Sequence, residues 1–350
     1  TSMFLGRNEE NGLRCVYHGW KFDVTGACVD MPNEVEQYDF KHKVKMVAYP
    51  TVELGGVIWT YMGPAEHLPP EPKFEFTQQP ATHRNASKVM EQCNWLQALE
   101  GGIDSVHSSF LHRKFGKGEG IGLGGLRAKG IASKLEVEPT DYGYRYGSIR
   151  PLPGEGQNYV RAYHWVMPHV QIRASQLWPD GSWYKFKISG HHWVPIDDTH
   201  TMTWNWFYTL DEPLDEDEAL EKTNGNGPDY VDQQTFLSIA NRQNNWTMDR
   251  ARQRTDTFTG IQGINVQDRA VQEAMGPVVD RSKEHLGQTD RAVIMTRKLL
   301  LQAIRTVQDG GSPPGTGDSY YGIRAIEQVL PDDVAWQEAL HEKMHAAVGA

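Results

Sequence analysis

Over residues 13–62 short apolar segments alternate with turn residues, the pattern of a small β domain. Residues 14–17 and 56–62 read as strands, and Asp23-Val24-Thr25-Gly26 and Gly55-Gly56 read as turns. A Pro-rich stretch with Pro64, Pro69, Pro70 and Pro72 marks a boundary, which predicts domains over 1–70 and 71–350. Helical spacing comes next over 89–111, then a Gly-rich loop over 116–125, then a series of strands over 131–210. The clearest alternation is 201–208, where Met202, Trp204, Trp206 and Tyr208 share one face that should be buried. Ile196-Asp197-Asp198-Thr199 is the turn joining that strand to the preceding one. Residues 211–229 read as an acidic, solvated loop. Helices are expected over 266–275, over 290–307 with Thr289 as N-cap, and over 332–347. Strands followed by helices, with no repeat, predict an α+β fold with an antiparallel sheet.

Composition narrows the classes. The 350 residues are 39% apolar and 23% charged, enough for a sizeable core, and no apolar run approaches the roughly 18–20 residues of a membrane span. A net charge of −10 argues against nucleic acid or an anionic membrane as partner. Three cysteines do not make a disulfide scaffold, and the chain reads as soluble and cytoplasmic. Residue 1 is Thr, and the opening text reads as mid-domain, so an N-terminal piece is expected to be missing.

Two constellations carry chemistry. In the first, Arg14-Cys15-Val16-Tyr17-His18-Gly19-Trp20 places a thiol and an imidazole three apart on a turn ending in Gly19. That spacing lets sulfur and nitrogen converge on one metal or on neighbouring cluster atoms. Cys28 and Cys93 read as packing residues.

The second lies in Asn94-Trp95, Glu100-Gly101-Gly102 and Asp104-Ser105-Val106-His107-Ser108-Ser109-Phe110-Leu111-His112. Asp104 and His107, three apart, share a helical face, where the carboxylate can accept the spare imidazole N–H and fix its tautomer. His107 and His112 are five apart, which on an unbroken helix separates them by about 140°. Convergence on one metal therefore demands a break just after His107, near Ser108-Ser109.

The string from Cys15 to Asp23, with Gly26 and Met31-Pro32, resembles the second half of the Rieske iron–sulfur motif. In that family a C-x-H pair lies about 15–17 residues upstream, with two Cys on one iron and two His on the other. Thr1 stands 14 positions before Cys15, so this sequence carries two of the four [2Fe–2S] ligands. The D-x2-H-x4-H text resembles the mononuclear iron motif of Rieske non-haem iron aromatic ring-hydroxylating oxygenases, alpha subunit. Text at 257–265, 271–277 and 284–287 is similar to the phthalate dioxygenase-like branch.

The resemblance implies several things. The fold should be a truncated all-β Rieske domain followed by a helix-grip (START-like) catalytic domain with a curved antiparallel sheet. A carboxylate from a later helix should complete the iron site: Asp268 matches best, with Glu273 and Asp280 in reserve. Two His and one carboxylate would leave iron positions open for dioxygen. Family members are oxygenase components fed by an NADH-dependent flavin and iron–sulfur reductase, and form homotrimers or dimers of trimers. Asp104 would then bridge His107 to His18 of the next subunit. The implied reaction is cis-dihydroxylation of an aromatic carboxylate, with O-demethylation of an aromatic acid as the runner-up and an inactive metal-binding scaffold as the alternative class. For the substrate carboxylate the strand residue Arg173 is chosen, with Arg150 and Arg161 as alternatives.

Three further motifs are set aside. His341-Glu342-Lys343-Met344-His345 matches H-E-x-x-H but has only five residues after it, and reads as the polar face of a helix end. Gly120-x-Gly122-x-x-Gly125 comes after basic text and not an apolar strand, so it reads as a mobile loop that could gate a nearby iron site. His191-His192 reads as hairpin surface and core.

Overall fold

The computed structural model describes residues 2–115, 133–154, 156–174, 187–222 and 224–346. The Gly-rich loop at 116–125, with its gating role, lies outside the described residues. The chain divides into two compact units, Thr1–Glu53 with Ile58–Leu68, and Leu54–Val57 with Pro69–Ala350.

In the first unit β1 (Arg7–Glu9), β2 (Gly12–Arg14), β3 (Lys21–Asp23) and β4 (Cys28–Asp30) form an antiparallel sheet in sequence order. Phe22, Cys28 and Met31 make its small core. Strand β2 ends at Arg14, so Cys15, Val16 and Tyr17 belong to the next turn and not to the expected strand. A hairpin of β5 (Thr51–Leu54) and β6 (Val57–Thr60) turns at Gly55-Gly56 as predicted.

The second unit is built on one large antiparallel sheet. Its strands are β7 (Arg84–Glu91), β8 (Lys134–Pro139), β9 (Gly143–Leu152), β10 (Gln157–Val166), β11 (Val170–Ala174), β12 (Lys187–Pro195), β13 (Thr201–Thr209) and β14 (Ile326–Pro331). The order is β7-β13-β12-β11-β10-β9-β8, with β14 pairing β10 beside β11. Three longer helices accompany the sheet: α1 (Trp95–Ile103), α2 (Ile264–Ala274) and α3 (Arg291–Gln308). Register puts Tyr144, Tyr146, Ser148 and Arg150 of β9 opposite Trp165, Tyr163, Arg161 and Tyr159 of β10. That face carries the helices: Leu99 and Ile103 of α1 and Ala292 and Val293 of α3 share a core with Tyr144, Tyr146, Tyr163, Trp165 and Trp193. Burying each such large side chain contributes about 1.5–3 kcal/mol. The other face is covered by Trp336, Leu340 and Met344 at one end, and by Phe74 and Phe76 against His192 and Trp206 at the other.

Four expectations change. Residues 89–91 end β7, so the helix begins only at Trp95. In β13 Trp206 and Tyr208 are buried as expected, but Met202 and Trp204 are only partly so, and Thr201, Thr203 and Asn205 on the helix-bearing face are buried as well. Helix α3 is preceded by a 3-10 turn over Gln288–Asp290, so its N-cap position is Asp290 and not Thr289. The expected last helix is instead a turn at Trp336–Ala339 and a 3-10 turn at Glu342–Met344. The chain end is drawn out of the helix because Arg324 donates its N–H to the Met344 carbonyl and Ile323 bridges His345. His341 and His345 are therefore not presented on one helix.

Candidate metal centre

The site grows from α1 and the turn after it. The Asn94 side chain caps the helix by accepting from the Leu96 N–H at 3.1 Å. Gly101 and Gly102 let α1 approach its neighbours: a Cβ would stand 2.3 Å from Gln272 Nε2 at the first and 2.2 Å from Trp193 Cη2 at the second. The helix stops at Ile103, and Asp104 is extended at φ −60°, ψ 126°. The break that convergence demanded thus comes before His107, and Asp104 and His107 do not share a helical face. They meet through a turn, in which the Asp104 carboxylate accepts from Val106 N–H at 2.7 Å and His107 N–H at 3.2 Å, and lies 3.2 Å from His107 Nδ1. His107–Ser109 is a 3-10 turn, and His112 comes soon enough after it that the two rings lie 5.2 Å apart.

Asp268 enters from α2. Its Oδ1 lies 3.4 Å from His107 Nε2 and 3.3 Å from His112 Nε2. The three ligand atoms fall within 4.8 Å of one another, and among the described residues no other group of three His, Cys, Asp or Glu side chains does so. A metal about 2.1 Å from each donor needs donor separations of at most about 4.2 Å, so this set fits one ion with little adjustment. Both imidazoles offer Nε2 because Nδ1 is occupied. Gln267 Nε2 donates to the Ile261 carbonyl at 2.8 Å, which turns its Oε1 toward His112 Nδ1 at 2.7 Å. His107 Nδ1 is taken by Asp104. The reserve carboxylates lie elsewhere: Glu273 accepts from the Gln92 N–H and Trp246 Nε1, and Asp280 caps the Arg281–Lys283 turn.

Charge at the site is set by these contacts. Burial disfavours a charged His107, but the Asp104 and Asp268 carboxylates win and raise it to about 9. Burial also pulls Asp268 upward, yet the two imidazoles hold it well below the usual carboxylate range. Asp104 is likewise lowered by His107 and by the backbone N–H groups against the opposing effect of burial. Without metal, the His107 Nε2 proton occupies the place a cation would take.

Beside the apolar core, part of the helix-bearing face over β11, β12 and β13 forms a polar wall. Gln171 and Arg173 of β11 lie opposite His191 and Ser189 of β12, and His191 lies opposite Asn205 of β13. His191 Nδ1 is 2.7 Å from Asn205 Oδ1, and burial pushes its pKa well down, so it is neutral. Both His191 and His192 are buried, which corrects the hairpin-surface reading. Arg173 is partly exposed, with Nε donating to Ser189 Oγ at 3.2 Å. Arg161 is paired with Glu327 at 2.7 Å. Arg150 is fully buried and donates to Ser148 Oγ and the Ser105 carbonyl. Gln267 and His191 were missed by sequence reasoning. The strand face of Gln171 and Arg173 points to His191 once the register is known, whereas nothing in the sequence marks Gln267.

In the first unit, Gly19 N–H donates to the Cys15 carbonyl at 3.0 Å and Cys15 N–H to the Trp20 carbonyl at 2.8 Å, closing a turn that carries both Cys15 and His18. Gly19 has φ +82°, and a Cβ there would meet Pro32 Cγ at 2.8 Å. His18 is exposed and Cys15 partly so. No helix among the described residues is long and apolar enough to cross a membrane.

Residues 2–48 match the model of the Rieske [2Fe-2S] domain, and residues 60–349 match that of the LigXa C-terminal domain-like family. The phthalate 4,5-dioxygenase oxygenase subunit of Pseudomonas putida is 36% identical over 351 residues, covering 97% of this chain and 78% of that protein. The 3-chlorobenzoate-3,4-dioxygenase oxygenase subunit of Comamonas testosteroni is 33% identical over 375 residues, covering 99% and 83%. Among solved structures, NdmA of Pseudomonas putida CBB5 with caffeine shares the fold at TM-score 0.59 and 17% identity, covering 95% of this chain and 82% of that one. Dicamba monooxygenase bound to dicamba does so at TM-score 0.57 and 15% identity, covering 88% and 84%. The chain belongs to the Rieske aromatic-ring-hydroxylating oxygenases, oxidoreductases that use an iron–sulfur cluster and a non-haem iron, and it is the oxygenase alpha subunit of a multicomponent system with a separate reductase.

Proposed function

We propose that this subunit dihydroxylates an aromatic ring bearing a carboxylate, at an iron held by His107, His112 and Asp268. The observation that carries the reading is the approach of His107 Nε2, His112 Nε2 and the Asp268 carboxylate to within 4.8 Å, with both Nδ1 atoms already bonded. Bound there, ferrous iron would supply dioxygen activation beside the substrate, since two His and one carboxylate leave coordination positions open. The protein's part is to fix the ligands. Asp104 holds the His107 tautomer, and Gln267 holds that of His112. Cys15 and His18 would take two positions of the [2Fe–2S] cluster. Asp104 would also face His18 of the partner subunit in a homotrimer, so that one carboxylate serves both ligand geometry and electron delivery. The electrons would come from NADH through a flavin and iron–sulfur reductase.

For the substrate, Arg173 is the candidate partner. Arg161 and Arg150 are buried, whereas Arg173 is partly exposed on strand β11. A guanidinium there suits a carboxylate through paired N–H donors. The named substrates of the two dioxygenase relatives are aromatic acids, which agrees. A second reading, monooxygenation, is favoured by 29% identity over 356 residues to the 5,5'-dehydrodivanillate O-demethylase oxygenase subunit of Sphingobium sp. (strain NBRC 103272 / SYK-6), covering 99% of this chain and 73% of that protein. The test is turnover of a panel of aromatic acids with a surrogate reductase, NADH and labelled dioxygen. Two labelled atoms in a diol product support dihydroxylation, one labelled atom supports monooxygenation, and NADH loss without any oxygenated product overturns both.

A further inference from the structure

We infer that Arg150 is a positioning residue for the iron-ligand turn, fixing the main-chain carbonyl of Ser105 and, through it, Asp104 and His107. The inference rests on the proposed metal centre at His107, His112 and Asp268. When α1 ends at Ile103, its last carbonyls lose their helical partners, and in a buried place they need others. Strand β9 supplies them. Arg150 Nη2 donates to the Ser105 carbonyl at 2.6 Å, and Tyr146 OH donates to the Ile103 carbonyl at 3.1 Å. Tyr163 OH meets Ser105 Oγ at 2.7 Å, and Ser108 Oγ fills the second lone pair of the Ser105 carbonyl at 2.9 Å. Arg150 Nη1 is itself tied to Ser148 Oγ at 2.9 Å.

Arg150 thus fastens the Ser105–Val106 peptide, inside the turn from Asp104 to His107, to the sheet. Asp104 reaches His107 across that peptide, and its carboxylate closes the turn through the Val106 and His107 N–H groups. A shift of the Ser105 carbonyl would move the Asp104 carboxylate and the His107 ring together, away from His112 and Asp268. A guanidinium suits the task because it is always charged and presents its donors in a fixed fork. The geometry separates this role from substrate binding, since Nη1 and Nη2 are both directed at protein oxygens.

The test is calorimetric titration of Co(II) into protein freed of its mononuclear metal but retaining its cluster, together with the KM for phthalate as probe acid. Arg150→Met should weaken Co(II) binding about 10–100-fold, as loss of a ligand-supporting contact does, with KM within about twofold of wild type. Arg150→Lys, which keeps charge without the fork, should fall between. Undiminished Co(II) affinity in Arg150→Met, or a raised KM with intact affinity, overturns the assignment. If Arg150→Met does not fold, Arg150→Lys decides on the same two readings. Wild-type protein that binds Co(II) no better than Asp268→Ala would instead bring down the metal-centre reading and this assignment with it.

Discussion

Cys15 and His18 stand on one short turn closed by two backbone hydrogen bonds, with partly and fully exposed side chains. His107, His112 and Asp268 come from a broken helix end and from a helix more than 150 positions later, and they meet partly buried in the second unit. In the turn the backbone hydrogen bonds and the Arg14 guanidinium, which donates to the Gly19 carbonyl, set the geometry, and a side chain at Gly19 would displace Pro32. In the second site each ligand is held by another side chain: Asp104, Gln267 and, in the role inferred for it, Arg150 acting on the turn. The difference teaches that the turn depends mainly on its own backbone and its neighbour Arg14, whereas substitutions well away from the iron can disable the second site.

The most severe break is Asp268→Ala. It should remove essentially all mononuclear iron while leaving the cluster, read as metal content against acid-labile sulfide. Next is Asp104→Asn, which should keep both metals and lower coupled product formation by about 100-fold or more, because the amide cannot serve as a charged acceptor between the two centres. Normal product yield in that variant would remove the bridging role. Arg173→Met should raise the KM for an aromatic acid about 10–100-fold with a smaller change in kcat, the value of a lost charge-assisted contact. An unchanged KM would place the carboxylate elsewhere.

A finer distinction concerns protons. Metal-free His107 is raised to about 9, so below that pH a proton must leave Nε2 before a metal enters. Affinity for Co(II) should therefore rise about tenfold per pH unit on going up toward pH 9 and then level off. Asp268, held well below its usual range, stays ionised throughout and adds no step in that window. A flat profile between pH 6.5 and 8.5 would contradict the charge assignment. The smallest expected effect is that of Gln267→Ala, about tenfold weaker metal binding with His112 still in place.

Legibility in the sequence divides along the same line. The C-x2-H turn is contiguous, so the spacing of Cys15 and His18 within a longer string that resembles the Rieske motif was enough to mark them. The need for a helix break between His107 and His112 also came from spacing, since five residues on a helix point apart. The break falls at Asp104 because the sheet supplies partners for the carbonyls, Tyr146 for Ile103 and Arg150 for Ser105, and both are distant in sequence. The burial of β13 on both faces was hidden for a related reason: alternation marks Met202, Trp204, Trp206 and Tyr208 as the interior set, but Thr201, Thr203 and Asn205 on the opposite face are buried as well. The strand β14 and the extended chain end depend on pairing with β10 and with residues 323–324, and no local pattern announces either.

The most direct test of the account is anomalous diffraction at the iron edge from crystals of the protein with its metals bound. The predicted result is a single iron peak about 2.1 Å from His107 Nε2, His112 Nε2 and an Asp268 carboxylate oxygen, separate from the cluster. A peak coordinated by other side chains, or none at these three, would contradict it.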